Sequence, residues 1–180
     1  MDKIIPSLLL LVLPALGFSQ TAPSPQLTEM KKLDFLVGRW KGSGYFEYSP
    51  GQRRNFTETE TVQAKLDGLM ALFEGEGKSN SEQGTEITVH SALALASYDD
   101  LAKAFKWHAY RADRGALSSI DTEATVGNNK LQWGFANPRG GMIRFTIELN
   151  DKGEWFEVGE SSADAKTWQK FMEMTLVREP

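Results

Sequence analysis

Carboxylates are the side chains in this sequence whose type and spacing suggest chemistry. Segments in which polar and apolar residues alternate, as in half-buried strands, contain Glu58, Glu60, Glu74, Glu157, Glu160 and Glu173. Two carboxylates that line one cavity can serve as a general acid and a general base. They can equally pair with Arg111, Arg144 and Arg178. Because buried charges are usually kept in paired networks, the sequence favours the structural alternative.

The histidines, His90 and His108, give no support for a metal site. If their two strands pair across a turn at residues 98–100, the histidines are offset by roughly three residues, or about 10 Å. That distance is too long for a shared ion, and no third ligand is evident. We therefore predict no metal site.

Motifs for nucleophilic catalysis or phosphate binding are also missing. The sequence has no Gly-x-Ser-x-Gly, and Gly42-Ser43-Gly44 lacks the strand-turn-helix context of a nucleophile elbow. No helix follows Gly75-Glu76-Gly77, so that segment does not resemble a phosphate loop. We predict no catalytic residue and no nucleotide site.

The composition is that of a globular protein. The chain has 180 residues, of which 41% are hydrophobic and 24% charged, which predicts one domain with a substantial core. Its net charge of −4 argues against a nucleic-acid partner, because phosphate binding requires clustered Lys and Arg. Cysteine is absent, which excludes disulfides, thiol nucleophiles, thiolate metal sites and a lipoprotein anchor.

Residues 1–20 have the layout of a secretory signal peptide. Lys3 provides the positive start, residues 4–18 are almost wholly apolar, and small and polar residues follow near Ser19. The apolar run is shorter than the roughly 20 residues that span a bilayer, and Pro6 and Pro14 interrupt it. We predict cleavage near Ser19 or Gln20, export to the periplasm or the medium, and no membrane anchor after cleavage.

After the predicted signal peptide, the sequence indicates a flexible spacer at residues 21–26 and one domain at residues 27–180. Leu27, Met30 and Leu33 predict a short amphipathic helix that starts at Ser24 or Pro25. Alternation and turn residues then predict strands at 37–48, 54–65, 69–78, 85–98, 103–112, 116–125, 130–136, 142–149, 154–162 and 167–178. Even spacing and hairpin-sized turns favour an all-β, ten-stranded, antiparallel up-and-down barrel, with a sandwich as the alternative.

The Gly38-x-Trp40 opening after a short helix resembles the calycin superfamily of lipocalin and fatty-acid-binding barrels. The resemblance implies that Trp40 plugs one end of the barrel and that Arg178, from the last strand, packs across it. More specifically, the chain resembles a bacterial family of calycin-like barrels known as a domain of unknown function. That resemblance covers residues 27–179 and is carried by LDFLVGRWKGSG, LDGLMALFEGEG, the strand end Ser97-Tyr98-Asp99 and WFEVGESSADAKTWQKFMEMTLVR.

Two departures limit what the resemblance implies. Lipocalins proper usually have fewer strands and have disulfides, which this chain cannot form. Haem-binding barrels of the nitrobindin type open with a similar Gly-x-Trp-x-Gly pattern and bind iron through a His near the C-terminus. This chain has no His after His108, so we expect no haem and no other cofactor.

These observations favour a protein that binds a small apolar ligand inside the barrel, because a ten-stranded barrel is wider than its side chains fill. Phe105, Trp107, Trp133 and Phe135 are the predicted apolar wall, with Arg144 or a cavity Glu orienting a polar end. One alternative is a hydrolase or isomerase that uses barrel carboxylates, such as Glu60, Glu157 or Glu173. Another is a structural envelope protein. The sequence sets neither the ligand nor the oligomeric state.

Overall fold

The protein folds as a closed antiparallel barrel of ten strands, which confirms the predicted fold class. The computed structural model describes residues 24–138 and 140–180, so the predicted signal peptide lies outside the described residues. Each strand pairs with its neighbours in sequence, and the first strand pairs with the last. The strands are β1 (Gly38–Ser49), β2 (Gln52–Lys65), β3 (Met70–Asn80), β4 (Glu86–Asp99), β5 (Ala104–Asp113), β6 (Ala116–Gly127), β7 (Lys130–Ala136), β8 (Met142–Leu149), β9 (Trp155–Ser162) and β10 (Gln169–Arg178).

A short helical segment precedes the barrel. Helix α1 (Pro25–Met30) begins within the predicted spacer and continues as a 3₁₀ helix at Lys31–Leu36. The Leu27 backbone N–H donates to the Ser24 hydroxyl (3.2 Å), and Pro25 takes the first helical position, where no backbone N–H is needed. Among residues 24–138 and 140–180, no helix has the length and apolar character needed to cross a membrane.

This helical segment covers one end of the barrel. At that end Leu33 and Leu36 are buried, and the Gln26 side chain donates to the Tyr98 carbonyl at the end of β4 (3.2 Å). The Trp40 indole N–H donates to the Leu36 carbonyl (2.7 Å), which ties the segment to the start of β1. Because β1 and β4 belong to different walls, the segment spans the opening; we call this the closed end.

Trp40 fills the closed end together with Trp155. Trp40 is fully buried, and its ring meets that of Trp155 edge-on with centroids 5.7 Å apart. The Arg178 guanidinium lies 4.1 Å from the centroid of the Trp40 ring and donates to the Phe35 and Val37 carbonyls. A cation–π contact and two carbonyl contacts therefore hold the last strand against the plug.

Alternation separates inward from outward residues along β2, but not along the whole of β1. In β2, Phe56 and Val62 face the interior, as do the glutamates between them. Strict alternation along β1 would place Tyr48 on the same face as Trp40, but Tyr48 is 64% exposed. The register between β1 and β2 shifts between Glu47 and Ser49, and this irregularity turns the last residues of β1 outward.

Candidate functional site

The barrel interior contains a cavity of about 430 Å³ with a mainly aromatic wall. The Trp107 and Trp133 rings stack with centroids 5.3 Å apart, and Trp133 stacks on Phe145 at 4.7 Å. Phe73 meets Trp107 edge-on at 4.9 Å. These rings come from strands β3, β5, β7 and β8, so the aromatic surface extends over about half of the wall.

The predicted wall residues divide between the cavity and other places. Trp107, Trp133 and Phe135 line the cavity. Phe105 is buried near the closed end, where its ring packs edge-on against Tyr98 at 5.1 Å. Arg144 is engaged elsewhere: its guanidinium donates to Glu160 (2.6 Å) and lies 3.9 Å from the centroid of the Trp168 ring.

Three buried carboxylates line the cavity above the closed end. Glu58 and Glu60 come from β2 and Glu157 from β9, with exposed fractions of 1%, 7% and 8%. Glu60 is the cross-strand partner of Trp40, and Glu157 follows Trp155 by two residues. The two tryptophans that fill the closed end are therefore neighbours of Glu60 and Glu157.

His90 joins these carboxylates from β4. The register pairs Glu58 with Gly77 and Gly77 with His90, so the glutamate and the histidine lie on either side of a residue without a side chain. The His90 Nδ1–H donates to Glu58 Oε1 over 3.0 Å. We call Glu58, Glu60, Glu157 and His90 the acidic cluster.

Burial shapes the protonation of the cluster. Burial raises the pKa of Glu157 to about 7, although the Trp155 indole N–H, which donates to its Oε2 (3.1 Å), opposes the increase. The pKa of Glu60 is raised well above its usual value by burial and by the neighbouring carboxylates Glu157 and Glu58. Burial also raises the pKa of Glu58, against the hydrogen bond from His90.

Glycines on β3 provide the space that two of these carboxylates occupy. A Cβ on Gly75 would lie 2.5 Å from Glu60 Oε1, and a Cβ on Gly77 would lie 2.4 Å from Glu58 Oε2. Real Cβ atoms do not approach oxygen so closely, so a larger residue at either position would force the carboxylate to move. The two glycines are therefore part of the site.

No fixed positive charge other than a protonated His90 balances the cluster within the described ranges. Neither Glu60 nor Glu157 has an ion-pair partner there, and Glu58 has only His90. The Glu58 Oε2 atom is buried and lacks a hydrogen-bond partner among the described residues. The arginine pairing that the sequence favoured is therefore correct for Glu160 and wrong for these three carboxylates.

The other predicted carboxylates lie outside the cluster. Glu74 is exposed, Glu160 pairs with Arg144, and Glu173 pairs with Lys170. His108 pairs with Asp121 (2.6 Å) on exposed side chains. Only Glu58, Glu60 and Glu157 of the six come together around the cavity.

Sequence reasoning missed His90. It compared His90 only with His108, whereas the partner of His90 is Glu58, two strands away across β3. The available signal was the pair Gly75 and Gly77, which alternate on β3 as Glu58 and Glu60 do on β2. Glu58, Glu60 and His90 each offer a ligand atom, and these atoms all lie within 4.8 Å of one another.

Comparisons with known proteins support the fold alone. No protein-family model matches the chain, and no curated protein is significantly similar to it. Among solved structures, the chain is similar to the crystal structure of Rv2717c from M. tuberculosis, with a TM-score of 0.55 and 12% sequence identity. The similarity covers 87% of this chain and 99% of that one. At this identity it supports a barrel fold, and membership of the calycin superfamily stays a prediction.

Proposed function

We propose that this protein is an exported, calycin-like barrel that binds a small, largely apolar molecule in its interior. The observation that carries the proposal is the cavity of about 430 Å³, with aromatic walls and three buried carboxyl groups gathered at one end. Mainly apolar cavities of this size with a few convergent polar groups are typical of small-molecule sites.

The wall favours a ligand with a flat or extended apolar body. Stacked rings such as Trp107, Trp133 and Phe145 are already held in place by one another. A ligand that contacts them therefore loses little side-chain entropy from the protein. Burial of the apolar surface of the ligand contributes about 25 cal/mol of binding free energy for each Å² removed from water.

The acidic cluster selects the polar end of the ligand. Its carboxyl groups offer acceptor oxygens, and Glu58 Oε2 and Glu60 have no donor among the described residues. A head group that donates hydrogen bonds or is positively charged, such as an amine or a hydroxyl, complements them. A ligand carboxylate would meet like charge in a low-dielectric site and bind more weakly.

Export is part of the proposal and rests on the sequence of residues 1–20. In the periplasm or the medium, a barrel without thiols could carry an apolar molecule through water. The proposal does not require a nucleic-acid partner or a membrane anchor.

A series of ligands with one chain length tests the binding. Binding should change the intrinsic tryptophan fluorescence, because Trp107 and Trp133 line the cavity. Because of the acidic cluster, we expect decylamine to bind most tightly, 1-decanol less tightly and decanoic acid most weakly. An Ala109→Phe variant adds a ring to the cavity wall and should weaken all three at least tenfold. Ala112→Phe is the matched control, since Ala112 is exposed on the same strand.

Two results would contradict the proposal. One is the absence of saturable binding by any of the three ligands. The other is equal binding by the Ala109→Phe and Ala112→Phe variants, which would place the ligand outside the barrel.

An enzyme that uses the carboxylates is a second candidate. The observation in its favour is that Glu60 from β2 and Glu157 from β9, strands separated only by β1 and β10, line the same cavity. If a bound molecule is recovered chemically changed, Glu60→Gln and Glu157→Gln should abolish the change without abolishing binding. Recovery of every tested ligand unchanged favours a binding protein.

A further inference from the structure

We propose that Glu58, Glu60 and His90 form a binding site for a divalent transition-metal ion such as Zn²⁺, Co²⁺ or Mn²⁺. The site lies at the floor of the barrel cavity, above Trp40. Each of the three side chains would supply one ligand atom, and the side that faces the cavity would stay open for water or another ligand.

The spacing of the donor atoms supports this assignment. One atom from each of the three side chains lies within 4.8 Å of the other two. In a tetrahedral site with bonds of about 2.1 Å, neighbouring donors are about 3.4 Å apart. Side-chain rotations that move each donor atom by about an ångström would bring the three groups to that spacing without a change in the backbone.

An unpartnered buried oxygen is the second, independent observation. Glu58 is only 1% exposed, and its Oε2 atom is buried without a hydrogen-bond partner among the described residues. Glu60, which is 7% exposed, has no ion-pair partner there. Buried polar groups are normally satisfied, so a buried carboxylate oxygen left without a donor points to a missing positively charged ligand.

The contact between His90 and Glu58 already brings two of the donor atoms together. His90 Nδ1 lies 3.0 Å from Glu58 Oε1, close to the spacing of two ligands on one ion. A neutral imidazole that carries its proton on Nε2 presents a lone pair at Nδ1. The ion would then take the place of the proton between Nδ1 and the Glu58 carboxylate.

The donor set favours transition metals over Ca²⁺ and Mg²⁺. Calcium prefers six to eight oxygen ligands, and magnesium keeps most of its waters, whereas this site offers an imidazole nitrogen and few oxygens. Mixed nitrogen and oxygen donors are typical of Zn²⁺, Co²⁺ and Mn²⁺ sites.

This inference does not depend on the proposed function, because an ion can occupy the floor of the cavity whether or not an apolar ligand lies above it. The two events interact, however. An amine head group and a divalent ion would use the same carboxylate oxygens, so each should weaken the binding of the other.

The test is titration of the purified, tag-free protein with Zn²⁺ alone and with Co²⁺ alone, by calorimetry and by the visible absorption of Co²⁺. We expect one ion per chain and micromolar or tighter binding. Glu60→Gln and His90→Asn should each weaken binding at least tenfold, and His90→Asn should shift the Co²⁺ bands because a nitrogen donor is lost.

His108→Asn is the matched control. His108 also contacts a carboxylate, that of Asp121, but both side chains are exposed and neither lines the cavity. Binding that is lost in His108→Asn and kept in His90→Asn would overturn the proposal, as would wild-type dissociation constants above about a millimolar. Circular dichroism of each variant separates loss of the site from loss of the fold, and Glu60→Gln keeps the shape of the side chain it replaces.

Discussion

Glu60 and Gly75 are cross-strand partners, and the carboxylate of one occupies the space where the other would carry a side chain. This relationship explains how a barrel wall can hold an inward carboxylate without pushing the strands apart. It also makes the position of the carboxylate depend on the absence of a methyl group on β3.

Gly75→Ala should therefore disturb the acidic cluster. A Cβ at 2.5 Å from Glu60 Oε1 must displace the carboxylate, and we expect a loss of about 1–3 kcal/mol of stability from overpacking. Zn²⁺ affinity should fall at least tenfold. Gly127→Ala is the control, since a Cβ there meets open space and its backbone is not left-handed. Equal thermal unfolding and Zn²⁺ binding in the two variants would contradict the assignment.

Glu157 should make the stability of the metal-free protein depend on pH. Because the folded state raises its pKa from 4.5 to about 7, the folded state holds a proton that the unfolded state releases. This contribution is complete below pH 4.5 and is lost as the pH rises to about 7, a change of about 3 kcal/mol.

Urea unfolding at a series of pH values from 4.5 to 8 measures this contribution. Glu157→Gln cannot titrate at this position and can still accept from the Trp155 indole, so its stability should fall less steeply with pH. Glu82→Gln, at an exposed loop residue, should keep the wild-type slope. The idea fails if Glu157→Gln and wild type have parallel pH profiles.

Arg178 should stabilise the closed end through its planar guanidinium as well as its charge. Arg178→Lys keeps the charge but loses the stacking on Trp40 and one of the two carbonyl contacts, so we expect a loss of about 1–2 kcal/mol. Arg39→Lys is a control at the same end, where Arg39 forms an exposed ion pair with Glu179. Equal unfolding midpoints for the two Arg→Lys variants would argue against this role of Arg178.

For Trp40→Ala, removal of a fully buried ring should cost about 3–5 kcal/mol of stability.

Glu58 should determine which head groups the cavity accepts. In Glu58→Gln, an acceptor oxygen remains but a negative charge is removed, so decylamine should bind about tenfold more weakly, or about 1.4 kcal/mol. Decanoic acid should bind more tightly than it does to wild type. Glu74→Gln, on the neighbouring strand but exposed, should leave both affinities unchanged. Fluorescence titration measures the ratio, and an unchanged ratio in Glu58→Gln would rule out the cluster as the polar end of the site.

The ten strands and the helix start could be predicted from sequence because each is encoded locally. Alternation in β2 places Phe56, Glu58 and Glu60 on one face. The threonines between them lie on the other face. Ser24 followed by Pro25 marked the helix start. These signals depend on two or three neighbouring residues, and tertiary packing did not override them.

The acidic cluster could be predicted only in part because it depends on register. His90 lies in β4, where residues 92–96 are all apolar, so the sequence does not show which face of this strand points inward. Its approach to Glu58 also depends on the irregularity between Gly77 and Lys78, which shifts the pairing of β3 with β4. The outward turn of Tyr48 follows another such irregularity. Local periodicity does not encode either one.

The pairing of β1 with β10 has a consequence for how the binding site comes into being. The two strands are the first and last of the chain, so the contacts that close the barrel have the greatest sequence separation in the fold and are expected to form late. Glu157 reaches the cluster only when β10 pairs with β1, because these two strands join β9 to the strand that carries Glu58 and Glu60. A chain that has folded β1 to β8 therefore has an open, partly apolar sheet and no cavity, and the ability to bind an apolar ligand should appear in a single step with closure.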